Sequence, residues 1–220
     1  MRIRIPTKIT PNDAIKLQQK LAPLIIEARL PFKITNLVGC DAAYFQENTF
    51  AAATLVNYES LQLLRTSSMK EKTRFPYLPG LLAFREGPPV LRTIRALKPK
   101  SYVCLVDAHG RAHPRKFGLA CFVGLALDQP TIGVAKTHFY GSLRDEGVFD
   151  DDGTQLAATV KLPESEKTIY VSVGHRICLT DAVKIVKHCL TKHGPLPIRL
   201  AHEQVTKQAW LLKKSNLAYS

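Results

Sequence analysis

Two aspartates stand where a soluble core rarely tolerates them. Asp41 sits in Gly39-Cys40-Asp41 and Asp107 closes the apolar run VCLVD. A carboxylate on an otherwise apolar segment is costly to bury without a partner, and two such groups at one sheet end repel each other unless a cation lies between them. Carboxylate oxygens suit Mg²⁺, with Mn²⁺ as a substitute. Taken alone, each aspartate is first a turn or helix cap; the pair raises metal binding as the alternative. Glu86, in FREGPPVL, reads from its spacing as a helix N-terminal glutamate favoured by the dipole, with a third acidic ligand as the other reading. Lys136 ends the apolar run IGVAK. It either extends to water from a strand end or stabilises charge on a phosphate. The dense turn at residues 109–118 carries His109, Arg111, His113, Arg115 and Lys116, either to contact phosphates or as a solvated basic loop. Tyr77 lies between Pro76 and Pro79 in FPYLPG. That stiff setting suits an aromatic wedge in a base stack, and equally a ring packed on its own loop. His202 on the last helical segment reads as structural when taken alone, or as a ligand together with His175.

The segments that must position these residues follow from pattern. Thr10-Pro11-Asn12-Asp13 reads as a helix start, with the helix running through residue 29 and bent near Pro23. Residues 37–45, 49–59 and 61–71 read as strands joined by polar turns, an antiparallel meander. A helix is expected over 87–98 and a strand buried on both faces over 102–107. A buried helix follows at 117–128, a buried strand at 131–136, a loop over roughly 137–155 and a strand at 168–175. Helices over 181–192 and 197–214 close the chain. A meander followed by alternating helices and buried strands predicts a single α/β domain over residues 1–220: a mixed central β-sheet with helices on both faces. Ligands of such sheets lie beyond the carboxyl ends of the parallel strands, where Asp107 stands.

Composition narrows the partners. The 31 Lys and Arg against 18 Asp and Glu give a formal charge of +13, which favours a polyanion, nucleic acid being the commonest. The five cysteines show no C-x-x-C pair and read as small buried hydrophobes in a reducing compartment. The segment MRIRIPTK has no apolar stretch of the kind a secretory signal needs, and no apolar run approaches the ~20 residues of a membrane span. A cytoplasmic protein without a membrane partner is expected, with monomer as the default state.

Together the motifs resemble the endonuclease V family from about residue 8 to residue 210, through VGCDAAY, FPYLPGLLAFREGPPVL, VCLVDAHGRAHPRKFGLACFVGL, TIGVAKTHFYG, YVSVGHRICLTDAVKIV and PIRLAH. The resemblance implies an RNase H-like fold and a DNA-repair endonuclease. It implies cleavage of the second phosphodiester bond 3′ to deoxyinosine or another deaminated base, leaving a 3′-hydroxyl and a 5′-phosphate. By the same resemblance Asp41 and Asp107 look like Mg²⁺ ligands, Glu86 like a third acidic residue serving a second metal or the water, and Lys136 like the catalytic lysine. Tyr77 looks like the wedge, His113 and Arg115 like members of the site's HPR turn, and His202 like a residue near the metal. Gly80 and Leu82, with the flanking Pro76 and Pro79, lie where the family builds its base pocket. Ala108 departs from a frequent glycine and would narrow that pocket. Inosine-containing RNA is an alternative substrate. A lesion-binding protein without catalysis and a recombination nuclease of similar fold are the remaining alternatives.

Overall fold

The structure, a computed structural model, describes residues 9–145 and 147–217, with side chains as far as 214. The MRIRIPTK segment and both extremities of the expected 1–220 domain lie outside the described residues. Helix α1 (Pro11–Leu21) starts as its sequence dictates: Thr10 is the N-cap and its hydroxyl accepts from the Asp13 amide at 3.2 Å. It ends earlier than expected. Pro23 lacks an amide donor, a single 3₁₀ turn (Ala22–Leu24) follows, and the chain is extended at Ile25.

The meander forms as predicted, from β1 (Asn36–Phe45), β2 (Asn48–Asn57) and β3 (Leu63–Lys72), all antiparallel. Helix α2 runs over Leu82–Leu97, five residues longer at its start than the Gly-Pro-Pro signal indicated. The prolines Pro88 and Pro89 lie inside it. Burial of Ala83, Phe84, Glu86 and Gly87 against the core carries the helix past the two missing donors. Strand β4 (Tyr102–Val106), helix α3 (Leu119–Leu127) and strand β5 (Thr131–Ala135) follow as expected. The expected loop at 137–155 instead contains β6 (Ser142–Arg144) and β7 (Gly147–Phe149), and β8 (Gln155–Lys161) continues directly from it. These strands are short and flank the polar run Asp150-Asp151-Asp152, so alternation was too brief to read. Strand β9 (Thr168–His175), helix α4 (Leu179–His188), the two-residue strands β10 (Leu190–Thr191) and β11 (Gly194–Pro195), and helix α5 (Leu196–Leu217) complete the chain.

Nine strands make the main sheet in the order β3-β2-β1-β4-β5-β9-β8-β7-β6. Only β1, β4 and β5 are mutually parallel; β9 returns antiparallel and the rest follow as hairpins. Side-chain alternation divides the core in two. Val38, Cys40, Cys104 and Val106 pack with α1, α2 and α3, whereas Leu37, Val103, Leu105 and Ile132 pack with α4 and the start of α5. Continuing the alternation puts Asp41, Asp107 and Lys136 on the α5 face. Helix α5 reaches β1 because residue 39 has no side chain: a Cβ there would sit 2.1 Å from the Pro197 carbonyl carbon. The Thr54 hydroxyl fixes the same point by donating to the Pro197 carbonyl at 2.8 Å.

Candidate active site

In the parallel register Cys40 lies beside Val106, so the next residues, Asp41 and Asp107, emerge side by side at the carboxyl edge. Helix α5 adds His202, whose Nδ1 donates to Asp41 Oδ2 at 2.7 Å, while Asp41 Oδ1 accepts from the Ala42 amide at 2.8 Å. Lys136, at the end of β5, reaches Asp107 Oδ2 at 2.6 Å. One ligand atom each from Asp41, Asp107 and His202 fall within 4.8 Å of one another. Burial, and then the negative charge of Asp107, push the Asp41 carboxyl above the usual carboxylate range. A divalent cation would relieve both effects, and the oxygen-rich donor set fits Mg²⁺ or Mn²⁺. His175 does not join this group. Its Nδ1 accepts from the Ile26 amide at 3.3 Å and its Nε2 faces Asp128 at 3.5 Å.

Glu86 lies in the second turn of α2, so it is not a helix N-terminal glutamate. The Tyr44 hydroxyl donates to its Oε1 at 2.6 Å, and the Arg85 guanidinium lies 4.1 Å from the Tyr44 ring centre. Burial raises the Glu86 carboxyl to about 8, with the charges of Asp41 and Asp107 adding to it and the Tyr44 bond opposing. Three carboxyl groups therefore feel one another at the sheet edge, the condition a cation resolves.

Beside this centre opens a cavity of about 210 Å³. Tyr77, Leu78, Pro79, Gly80, Leu82 and Ala83 form one wall; Ala108, His109, His113, Thr137 and Phe139 form much of the other. Tyr77 stands 67% exposed at its mouth. Pro76 is exposed outside the cavity, and Arg85 Nη1 anchors the loop by donating to the Phe75 carbonyl at 2.8 Å. The loop's other anchor is the Gly80 carbonyl, which accepts from Gln18 Nε2 at 3.0 Å, His113 Nε2 at 3.0 Å and Arg115 Nη2 at 2.7 Å. Gly80 has φ +79°, and a Cβ there would come within 2.6 Å of Arg115 Nη2; only glycine satisfies both conditions.

The basic turn is thus turned inward. His113 Nδ1 accepts from the Arg115 amide at 3.1 Å, which leaves the ring proton on Nε2. Burial, followed by the Arg115 charge, lowers His113 to about 4. Arg111 pairs with Glu27, and Lys116 reaches Asp150 at 2.6 Å. His113 and Arg115 thus hold the pocket's wall through the Gly80 carbonyl, and Arg111 and Lys116 stand in ion pairs. Sequence reasoning missed Gln18, Tyr44 and Arg85. Gln18 left a signal: with Ala14 and Leu21 it lies on the buried stripe of α1, where a polar residue must find partners.

Paired acidic residues on adjacent parallel strands, behind an antiparallel meander and facing helix α5, sit in an RNase H-like fold and form a group that could hold a cation. A profile of the endonuclease V family matches residues 17–203. Endonuclease V of Thermofilum pendens is 39% identical over 218 residues, covering 95% of this chain and 94% of that protein. Among solved structures, Streptomyces avermitilis endonuclease V superposes with a TM-score of 0.85 at 30% identity, over 98% of this chain and 100% of that one. The Ciona intestinalis endonuclease V, in complex with a 24mer DNA containing an inosine followed by a ribo-adenosine, gives 0.84 at 27% identity, over 92% and 97%. The chain belongs to the endonuclease V family and is a nuclease. Among the described residues no helix is long and apolar enough to cross a membrane.

Proposed function

We propose that this protein is a Mg²⁺-dependent endonuclease that acts on deaminated bases, cutting the second phosphodiester bond 3′ to deoxyinosine. The observation that carries the reading is the juxtaposition of the Asp41–Asp107–His202 group with the Tyr77-capped cavity. A flipped base in that cavity places the phosphates 3′ to it along the acidic edge. Extrusion costs a few kcal/mol and is easiest for a mispaired base, one source of selectivity. Tyr77 fills the vacated stack, and the Gln18–His113–Arg115 clamp fixes the loop that carries it.

Asp41 and Asp107, with Glu86 as the third acid, would hold the cation, and His202 orients Asp41. Bound there, the cation supplies Lewis acidity that activates water and offsets charge on the phosphate. Lys136 holds Asp107 in place and presents its ammonium to the phosphate. A water oxygen bonds to phosphorus and the P–O3′ bond breaks. The 3′ oxygen leaves as a hydroxyl, and the phosphate stays on the 5′ side of the next nucleoside. A second reading draws on the ribo-adenosine beside inosine in the Ciona complex: the strand cut here is RNA, or bears a ribonucleotide 3′ to inosine. The protein is read as a cytoplasmic monomer, its five unpaired cysteines fitting a reducing compartment.

End-labelled strands carrying one deoxyinosine, one deoxyinosine followed by a ribonucleotide, or one inosine in RNA test this directly. The expected result is a Mg²⁺-dependent product one nucleotide beyond deoxyinosine, lost in EDTA and in Asp41→Ala. Cutting confined to the ribose-containing strands would keep the site and change the substrate. Binding without any cutting would overturn the enzymatic reading.

A further inference from the structure

The acidic centre has a second cavity on its other side. This groove, of about 680 Å³, is lined by Asp107 and Lys136, whereas their chain successors Ala108 and Thr137 line the 210 Å³ pocket. The ends of β4 and β5 are therefore a partition, with the cutting centre on the wall of the larger space. The groove's floor is apolar, with Val134, Leu162, Ile169 and Ile198. Its rim is basic and comes from three separate elements: Lys167 before β9, Lys192 and His193 in the β10–β11 turn, and Arg199 on α5. Arg199 is tied to Glu203 and Lys136 to Asp107. Among the described residues, Lys167 and Lys192 form no ion pair and both are exposed.

A groove rimmed by unpaired cations suits the backbone of a nucleic-acid strand, its phosphates meeting the rim, while the aliphatic floor gives bases no ring to stack on and leaves the contact to the backbone. We infer that this groove seats the strand on the 3′ side of the cut bond, with Lys167 and Lys192 on its phosphates. The inference rests on the proposed function, which puts the lesion in the smaller pocket, the cut at Asp41–Asp107 and hence the departing 5′-phosphate fragment in the groove.

The test compares two deoxyinosine strands, one ending a single nucleotide beyond the cut and one extending eight nucleotides further. The proteins are the wild type, the double variant Lys167→Glu/Lys192→Glu, and the charge-matched control Lys184→Glu/Lys187→Glu on α4. Affinity is read by fluorescence anisotropy in EDTA, where the strand stays intact, and KM and kcat are read with Mg²⁺. For the long strand the double variant should lose about tenfold in affinity, and its KM should rise about tenfold. Its salt dependence should flatten by about 1.4 log units per log unit of salt, at about 0.7 per phosphate contact on a single strand. The short strand should change less than about twofold, kcat should hold, and the control should show no length contrast. Equal losses on both strands would assign the lysines to general attraction and overturn the inference, as would no loss on the long strand. If wild-type protein cuts no deoxyinosine strand, the proposed function fails, while the anisotropy contrast still decides whether the groove holds a strand.

Discussion

At the scale of residues, each carboxylate of the acidic group is held by a different kind of partner. Asp41 is oriented by a backbone amide and by His202; Asp107 is oriented by Lys136. Removing an orienting partner typically costs 10–100-fold in metal affinity. His202→Ala should therefore need about 10–100 times more Mg²⁺ for half-maximal cutting, with activity recovered at saturation. A Mg²⁺ titration of initial rates checks this, and an unchanged midpoint would remove His202 from the centre. Tyr77 is a different case. Its ring is 67% exposed and contributes little to the folded state, so Tyr77→Ala should leave Tm within a few degrees. Base–aromatic stacking is worth about 1–3 kcal/mol, so affinity for a deoxyinosine strand should fall about 5–150-fold, with a smaller loss on undamaged DNA. Equal losses on both strands would leave the ring no part in lesion recognition.

At the scale of elements, the loop after β3 is shaped by a helix far away in sequence. Gln18, fully buried on α1, donates to the carbonyls of Gly80 and Phe117 and accepts from Arg115 Nε. Gln18→Leu keeps the volume and removes every one of these bonds. It leaves the Phe117 carbonyl and the Arg115 Nε donor short of partners, which costs about 1–3 kcal/mol. Chemical denaturation should show that loss, and KM for the deoxyinosine strand should rise with kcat little changed, because the clamp lies at the pocket rather than at the acidic group. A stability loss with unaltered KM would mean that the loop keeps its shape without Gln18. Helix α2 begins five residues earlier than expected. Its added first turn carries Glu86 into the buried interior, where a helix begun at Gly87 would have left it outside.

At the scale of the whole molecule, acid stability reports the buried groups together. His113 is held neutral, its pKa lowered to about 4 from 6.5. Below pH 6.5 the unfolded chain takes up the proton that the folded one refuses, so folding weakens as pH falls, until the folded pKa near 4 is passed. Glu86 runs the other way in metal-free protein: its pKa is raised from 4.5 to about 8, so stability is gained as pH falls from 8 toward 4.5. The difference between wild type and His113→Gln isolates the histidine. In EDTA it should shift by about 3 kcal/mol in favour of glutamine between pH 7.5 and pH 3.5, at about 1.4 kcal/mol per pKa unit. A constant difference across that range would mean that the ring titrates normally.

The sequence by itself determined the elements whose signals are local. The Thr10 cap, the meander, the two buried strands β4 and β5 and Asp107 at a strand end are all readable from periodicity and from the cost of burying charge. It also brought out the candidate acids, the wedge loop and the basic turn, because their residue types are unusual in their settings. Tertiary structure decided what depends on residues distant in the chain. Asp41 meets His202 only because Gly39 lets α5 close onto β1, a contact across some 160 positions. That His113 meets the Gly80 carbonyl, and Arg115 both that carbonyl and Gln18, is set by the fold and not by the turn's own sequence. Likewise, Asp107 and Lys136 part from Ala108 and Thr137 into separate cavities through sheet geometry alone. A sequence shows the charge each residue carries; only the packed chain sets which partner neutralises it and which face it presents.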